Sequence, residues 1–168
     1  MSDTENKGIR ILFVEDVDED MELALRKIRK DGLVCTAMRV DTEAEFRQAL
    51  IEYHPDIVIA DYTMPVFDGL RAYEICHESN PFMPFNILTG SINEETAVAC
   101  MKAGANDYVL KDNMNRLSLA IQEAIERKRL EKQAKLQELK LRQSEERYRS
   151  IFTESTAIMM IIDPEEEG

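Results

Sequence analysis

Five short apolar runs punctuate the chain: Ile9 to Val14, Cys35 to Val40, Ile57 to Ala60, Phe85 to Thr89 and Asp107 to Leu110. Runs of this length, partly β-branched and bounded by turn residues, suit strands buried on both faces of a parallel sheet. Helical patterns fill the gaps. Asp18 can cap a first helix with Met21, Leu23, Leu25 and Ile28 as its apolar positions, and Asp31-Gly32 stops it. Thr42 and Glu45 have capping-box spacing ahead of Phe46, Ala49 and Leu50, and His54-Pro55 breaks that helix. A third helix follows Gly69 with Leu70, Tyr73 and Ile75 as core candidates, and Asn93 can cap a fourth running through Val98 and Met101 to Gly104. Strands alternating with helices predict an α/β fold, a flavodoxin-like doubly wound five-stranded parallel sheet of order 2-1-3-4-5. A long C-terminal helical extension follows from near Asn113.

That strand order has a chemical consequence. Strands one and three become neighbours at the switch point, where open α/β sheets place their ligands at the carboxyl edge. Glu15 and Asp16, after strand one, then lie beside Asp61, after strand three, and Thr89 and Lys111 end strands four and five at the same edge. Three carboxylates in one pocket repel one another by about 4 kcal/mol per pair at ~4 Å and an effective dielectric near 20. A cation or a proton must relieve that repulsion. Oxygen donors without His or Cys favour a hard ion such as Mg²⁺. A metal, a lysine and a hydroxyl around one carboxylate make a site for a dianionic phosphoryl group, with Asp61 as nucleophile.

Composition narrows the function classes. A formal net charge of −12 excludes the basic footprint that nucleic-acid binding by the bulk of the surface needs. Cys35, Cys76 and Cys100 are widely spaced and odd in number, which predicts buried thiols rather than a disulfide framework. The polar stretch Met1 to Lys7 lacks a signal-peptide core and no apolar run reaches membrane-spanning length. Together these predict a cytoplasmic protein with no membrane partner.

Five segments in order and in register resemble the receiver domain of two-component response regulators. They are Ile11 to Asp16 (ILFVED), Asp61 to Pro65 (DYTMP) with Asp68-Gly69, Leu88-Thr89-Gly90, and Asp107 to Leu110 closed by Lys111. The resemblance implies that Asp61 is a phosphoacceptor for a phosphohistidine-bearing kinase or phosphotransfer protein. It implies that Glu15, Asp16, Asp61 and the backbone carbonyl of Thr63 hold Mg²⁺, and that Lys111 and Thr89 bind the phosphoryl group. Thr89 and Tyr108 stand at the family's switch positions, and Thr63 and Ser91 where it tunes hydrolysis. The output face would be the helix after strand four, strand five and the final helix. Asp112 replaces the proline that commonly follows the lysine, and Asn86 puts an amide into a usually apolar strand, where it reads as an edge or ligand-bonded group. Two rivals stand beside this reading: an unphosphorylated receiver-like scaffold, and a phosphatase of the haloacid-dehalogenase type. The latter needs a second Asp two residues after the nucleophile, where Thr63 stands.

Charge marks a boundary. Residues 1–125 carry 12 Lys/Arg against 23 Asp/Glu, whereas 126–149 carry 9 against 5. We therefore expect a receiver domain over 1–126, a helical linker and coiled-coil candidate over 127–151, and a truncated start of a PAS-like domain over 152–168. Leu117, Ala120, Ile121, Ala124 and Ile125 keep the spacing of a sheet-packed face. Leu130, Ala134, Leu141, Tyr148 and Ile151 fit one heptad seam interrupted by Gln137 and Ser144, which predicts a parallel homodimer. The alternative is a solvated single helix laced with pairs such as Glu131–Lys135. Ser144 to Phe152 and Ala157 to Asp163 resemble the opening of a PAS sensory domain, with Ala157 to Ile162 expected to seek a sheet partner. We expect output to a sensory or catalytic domain, such as a histidine kinase or cyclic-nucleotide enzyme.

Overall fold

In chain order the elements are β1 (Ile9–Val14), α1 (Asp18–Lys30), β2 (Cys35–Val40), α2 (Glu43–Glu52), β3 (Ile57–Ala60), α3 (Gly69–Ser79), β4 (Phe85–Thr89) and β5 (Asp107–Leu110). A 3₁₀ turn at Met114–Arg116 then leads into α4 (Leu117–Ile162). This computed structural model describes residues 8–90, 98–99, 101–102 and 104–162. Ser91, the expected cap Asn93, Cys100 and Asp163 lie outside the described residues. The strands form one parallel sheet in the order β2-β1-β3-β4-β5, as their alternation with helices predicts.

Two apolar layers sandwich this sheet. Successive side chains on a strand point to opposite faces, so Val58 and Ala60 join Phe46, Ala72, Ile75 and Phe85 on one side. Ile57 and Ile59 join Phe13, Ala24, Ile28, Leu88, Leu117 and Ile121 on the other. All four residues of β3 are buried, which explains why that run is apolar throughout rather than alternating.

Helix boundaries follow local chemistry, with one correction. Thr42 accepts from Glu45 N at the start of α2, and Asp68 accepts from Arg71 N at the start of α3. Helix α1, however, begins at Asp18 with Val17 in the cap position and no side-chain cap. The Asp18 carboxylate goes to Arg39 instead. In the same helix Leu23 is exposed, and Ala24, Leu25 and Ile28 are the buried residues. Leu23 stands one position before Ala24, and a step of about 100° carries it off the stripe facing the sheet.

Asn86 departs from its expected reading. It sits in β4 between β3 and β5 rather than at an edge, is fully buried, and has no partner for either amide atom among the described residues. Leaving a buried polar group unpaired costs about 1–3 kcal/mol. Cys76 is buried and free, its thiol pushed up to about 12 by burial, and Cys35 is half-buried and free.

The chain divides into two units at Arg129–Leu130. In the first, Leu117, Ala120, Ile121 and Ala124 of α4 are buried and Ile125 is half-buried. In the second, every side chain of described exposure from Leu130 to Ile161 is exposed. Residues 157–162 are helical rather than extended. An apolar run can satisfy its backbone groups by prolonging the helix that leads into it. Among the described residues no helix is long and apolar enough to cross a membrane.

Candidate functional site

The sheet ladder carries the site residues one step beyond the strand ends. Glu15 N donates to Val40 O at 3.1 Å, Asp61 N to Val14 O at 2.9 Å, and Lys111 N to Thr89 O at 2.9 Å. Parallel pairing aligns all these ends on one edge, so residues far apart in sequence begin side by side. Gly69 makes room for this: a Cβ there would sit 2.7 Å from the Asp61 carbonyl oxygen, so only glycine lets α3 start so close to the pocket.

The structure brings together Glu15, Asp16, Asp61 and Lys111. Carboxylate oxygens of Glu15, Asp16 and Asp61 lie within 4.8 Å of one another. Glu15 and Asp61 are buried, Asp16 exposed. Lys111 Nζ reaches Asp61 Oδ2 at 2.7 Å and Glu15 Oε2 at 2.8 Å. The other oxygen of Asp61, Oδ1, accepts from the backbone N–H of Thr63 at 3.1 Å. Thr63 itself is exposed, Thr89 is buried at the end of β4, and Tyr108 is half-buried against the α2–α3 layer. His54 and His77 face solvent, His77 stacking on Tyr73.

Burial pushes the Glu15 carboxyl above the ordinary range, partly opposed by its bond from Lys111. Burial alone would lower the Lys111 pKa. Hydrogen bonds to Asp20, Asp61 and Glu15 outweigh it and hold the ammonium above its ordinary value. Lys111 is therefore a fixed positive charge against an excess of carboxylates.

Two contributors take roles that the sequence reading leaves unassigned. Asp20 of α1 bonds Lys111 Nζ at 2.6 Å, although its run Asp18-Glu19-Asp20 reads as helix-terminus charge. The sequence signal is its place: the run lies in the first turn of a helix that starts two residues after Asp16 and so borders the pocket. Arg39 of β2 donates to the Glu15 carbonyl at 2.8 Å and pairs with Asp41 at 3.2 Å and with Asp18, steadying the acidic loop after β1. No local pattern announces it.

The fold is thus a doubly wound sheet that gathers acids, a hydroxyl and a lysine at its carboxyl edge. The model of the response regulator receiver domain family matches residues 11–122, and the chain belongs to that family. Regulatory protein AtoC of Escherichia coli (strain K12) is 29% identical over 128 residues, covering 74% of this chain and 27% of AtoC. The DNA-binding transcriptional regulator NtrC of the same organism is 32% identical over 102 residues, 60% of this chain and 21% of NtrC. The chain thus spans about a quarter of the length of these two relatives. A crystal structure of a response regulator receiver domain protein from Clostridium thermocellum superposes with a TM-score of 0.63 at 29% identity, covering 73% of this chain and 98% of that one. Receiver domains bind Mg²⁺ through acidic residues, and the oxygen-only donor set of Glu15, Asp16 and Asp61 fits a hard divalent cation.

Proposed function

We propose that this chain is the phosphoacceptor of a phosphorelay and that Asp61 takes the phosphoryl group. An Asp61 oxygen attacks the phosphorus of a phosphohistidine on a histidine kinase or phosphotransfer protein. The P–N bond breaks, and the leaving imidazole keeps the bonding pair and takes up a proton. The observation that carries this reading is the setting of Asp61: one oxygen is held by Lys111 Nζ and the other by the Thr63 N–H, with Glu15 and Asp16 alongside. Lys111 would move with the transferred charge and bond a phosphoryl oxygen, and the Thr89 hydroxyl would donate to another. Glu15, Asp16, Asp61 and the Thr63 carbonyl are the groups to hold Mg²⁺, which when bound neutralises charge on the transferring oxygens. Thr89 and Tyr108 would sense the new charge and shift a two-state equilibrium.

The second unit would carry that shift onward in a longer protein, toward a sensory or catalytic domain. We assign residues 1–126 to the receiver and 127–151 to a helical linker, with 152–168 leading toward a PAS-like domain on the sequence resemblance alone. The linker pairs in parallel with a second copy. Support comes from its exposed seam of Leu130, Leu141, Tyr148 and Ile151. Acidic Glu138 and Glu145 flank that seam on one side, basic Lys140 and Arg147 on the other. In a parallel pair Lys140 meets Glu145 of the second copy.

Acetyl phosphate with Mg²⁺ tests the central step. Intact-mass spectrometry should show one added phosphoryl group, mapped to Asp61 by borohydride trapping, and none in Asp61→Asn, whose circular dichroism should match the wild type. A chain that folds, binds no Mg²⁺ and takes up no phosphoryl group would be a scaffold instead.

A further inference from the structure

Asp20 has no role in the chemistry set out above, yet it makes the shortest contact to the pocket lysine. An ammonium has three N–H donors. Here they meet three carboxylate oxygens: Asp20 Oδ2 at 2.6 Å, Asp61 Oδ2 at 2.7 Å and Glu15 Oε2 at 2.8 Å. Asp61 is the nucleophile in our reading, and Glu15 belongs with Asp16 and Asp61 to the cation-facing group. Phosphoryl transfer and cation binding therefore draw on two of the three acceptors. Asp20 stands outside that group, on a separate element, and its bond to Lys111 can persist from the resting to the phosphorylated state.

We propose that Asp20 is a positioning residue that tethers the Lys111 ammonium at the pocket, so that it is already aimed when a phosphoryl group reaches Asp61. The inference rests on the phosphoacceptor reading of the site. A lysine is a point charge on a flexible four-carbon stem. An acceptor that outlasts the reaction limits its search, and groups held in position contribute to rate through orientation rather than through added charge. The α1 backbone fixes where Asp20 stands, and its side chain is about one-third exposed while that of Lys111 is largely covered.

The test compares Asp20→Ala, Asp20→Asn and Asp20→Glu with the wild type. Asp20→Ala should slow the maximal first-order uptake from saturating acetyl phosphate by about tenfold. Its Mg²⁺ dissociation constant, measured by calorimetry without phosphodonor, should stay within about twofold of the wild type, because Asp20 is not cation-facing. Asp20→Glu should recover most of the rate and Asp20→Asn an intermediate part. In metal-free protein, the Lys111 ¹⁵Nζ resonance should be sharp and slowly exchanging in the wild type and in Asp20→Glu, and broadened in Asp20→Ala. Uptake by folded Asp20→Ala that is unchanged or faster would overturn the proposal. So would a loss explained wholly by weaker Mg²⁺ binding, or an unaltered Lys111 resonance. Wild-type protein that takes up no phosphoryl group would defeat the phosphoacceptor reading instead, and the resonance comparison would still decide the tether.

Discussion

Strand β3 and the second unit's share of α4 satisfy the same backbone demand in opposite ways. The four residues of β3 are all buried and bond to β1 and β4, neighbours drawn from distant parts of the sequence. From Leu130 to Ile161 the helix bonds to itself, and its side chains of described exposure all face solvent. The strand is held by burial and non-local pairing, which makes it a rigid seat for Asp61. Among the described residues the exposed helix carries local ion pairs such as Lys135–Glu138 at 3.0 Å and Arg142–Glu146 at 3.3 Å. Such pairs are worth about 0.2–0.5 kcal/mol each, so a partner surface has much to add. Rigidity at the site and adaptability in the linker thus come from the same chain by different physics.

The largest expected effect tests the buried side of this contrast. Phe13→Ala should destabilise the protein by about 3–5 kcal/mol in urea unfolding, whereas Leu136→Ala on the exposed helix should move the same transition by under about 0.5 kcal/mol. Equal losses at the two positions would break the distinction. Next, Leu141→Lys combined with Ile151→Lys should shift sedimentation at micromolar concentration from dimer to monomer and lower helicity at 222 nm. An unchanged sedimentation coefficient would mean the helix stands alone.

A subtler test lies inside the sheet. Asn86→Val should stabilise the fold by about 1–2 kcal/mol, since the amide bonds to none of the described residues and valine suits a buried strand. A loss instead would show that the amide is engaged. The smallest effect concerns Asp31, held below the ordinary aspartate value by hydrogen bonds from Lys27 at 2.7 Å and Ser118 at 2.6 Å. A depressed carboxyl stabilises above its unfolded pKa and loses that contribution as pH falls through the folded one. Asp31→Asn should therefore melt slightly lower than wild type at neutral pH. The gap should close as pH falls below the ordinary value of 3.8 and through the lowered one.

Much of the fold was legible beforehand for identifiable reasons. The five apolar runs stand out because full burial removes the polar alternation of a one-sided strand, and their observed ends match the expected ones. The cap at Thr42 is local chemistry and reads locally. Asp18 misled because a carboxylate near a helix start has two uses, and the choice depended on Arg39 across the β1–β2 pair. Ala157 to Ile162 misled because short apolar runs suit a strand or a helix equally until a partner decides.

By itself the amino-acid order determined the strand pattern and which polar residues terminate the strands, because both depend on neighbours within a few positions, while the sheet order came from the fold class that the alternation implies. Only the assembled fold decided that Asp20 shares Lys111 with Glu15 and Asp61, that Arg39 steadies the Glu15 carbonyl, and that Asn86 lies between two strands with no partner among the described residues. Those outcomes turn on side-chain reach and rotamer across elements brought together from 24 to 91 residues apart. No local pattern encodes such distances.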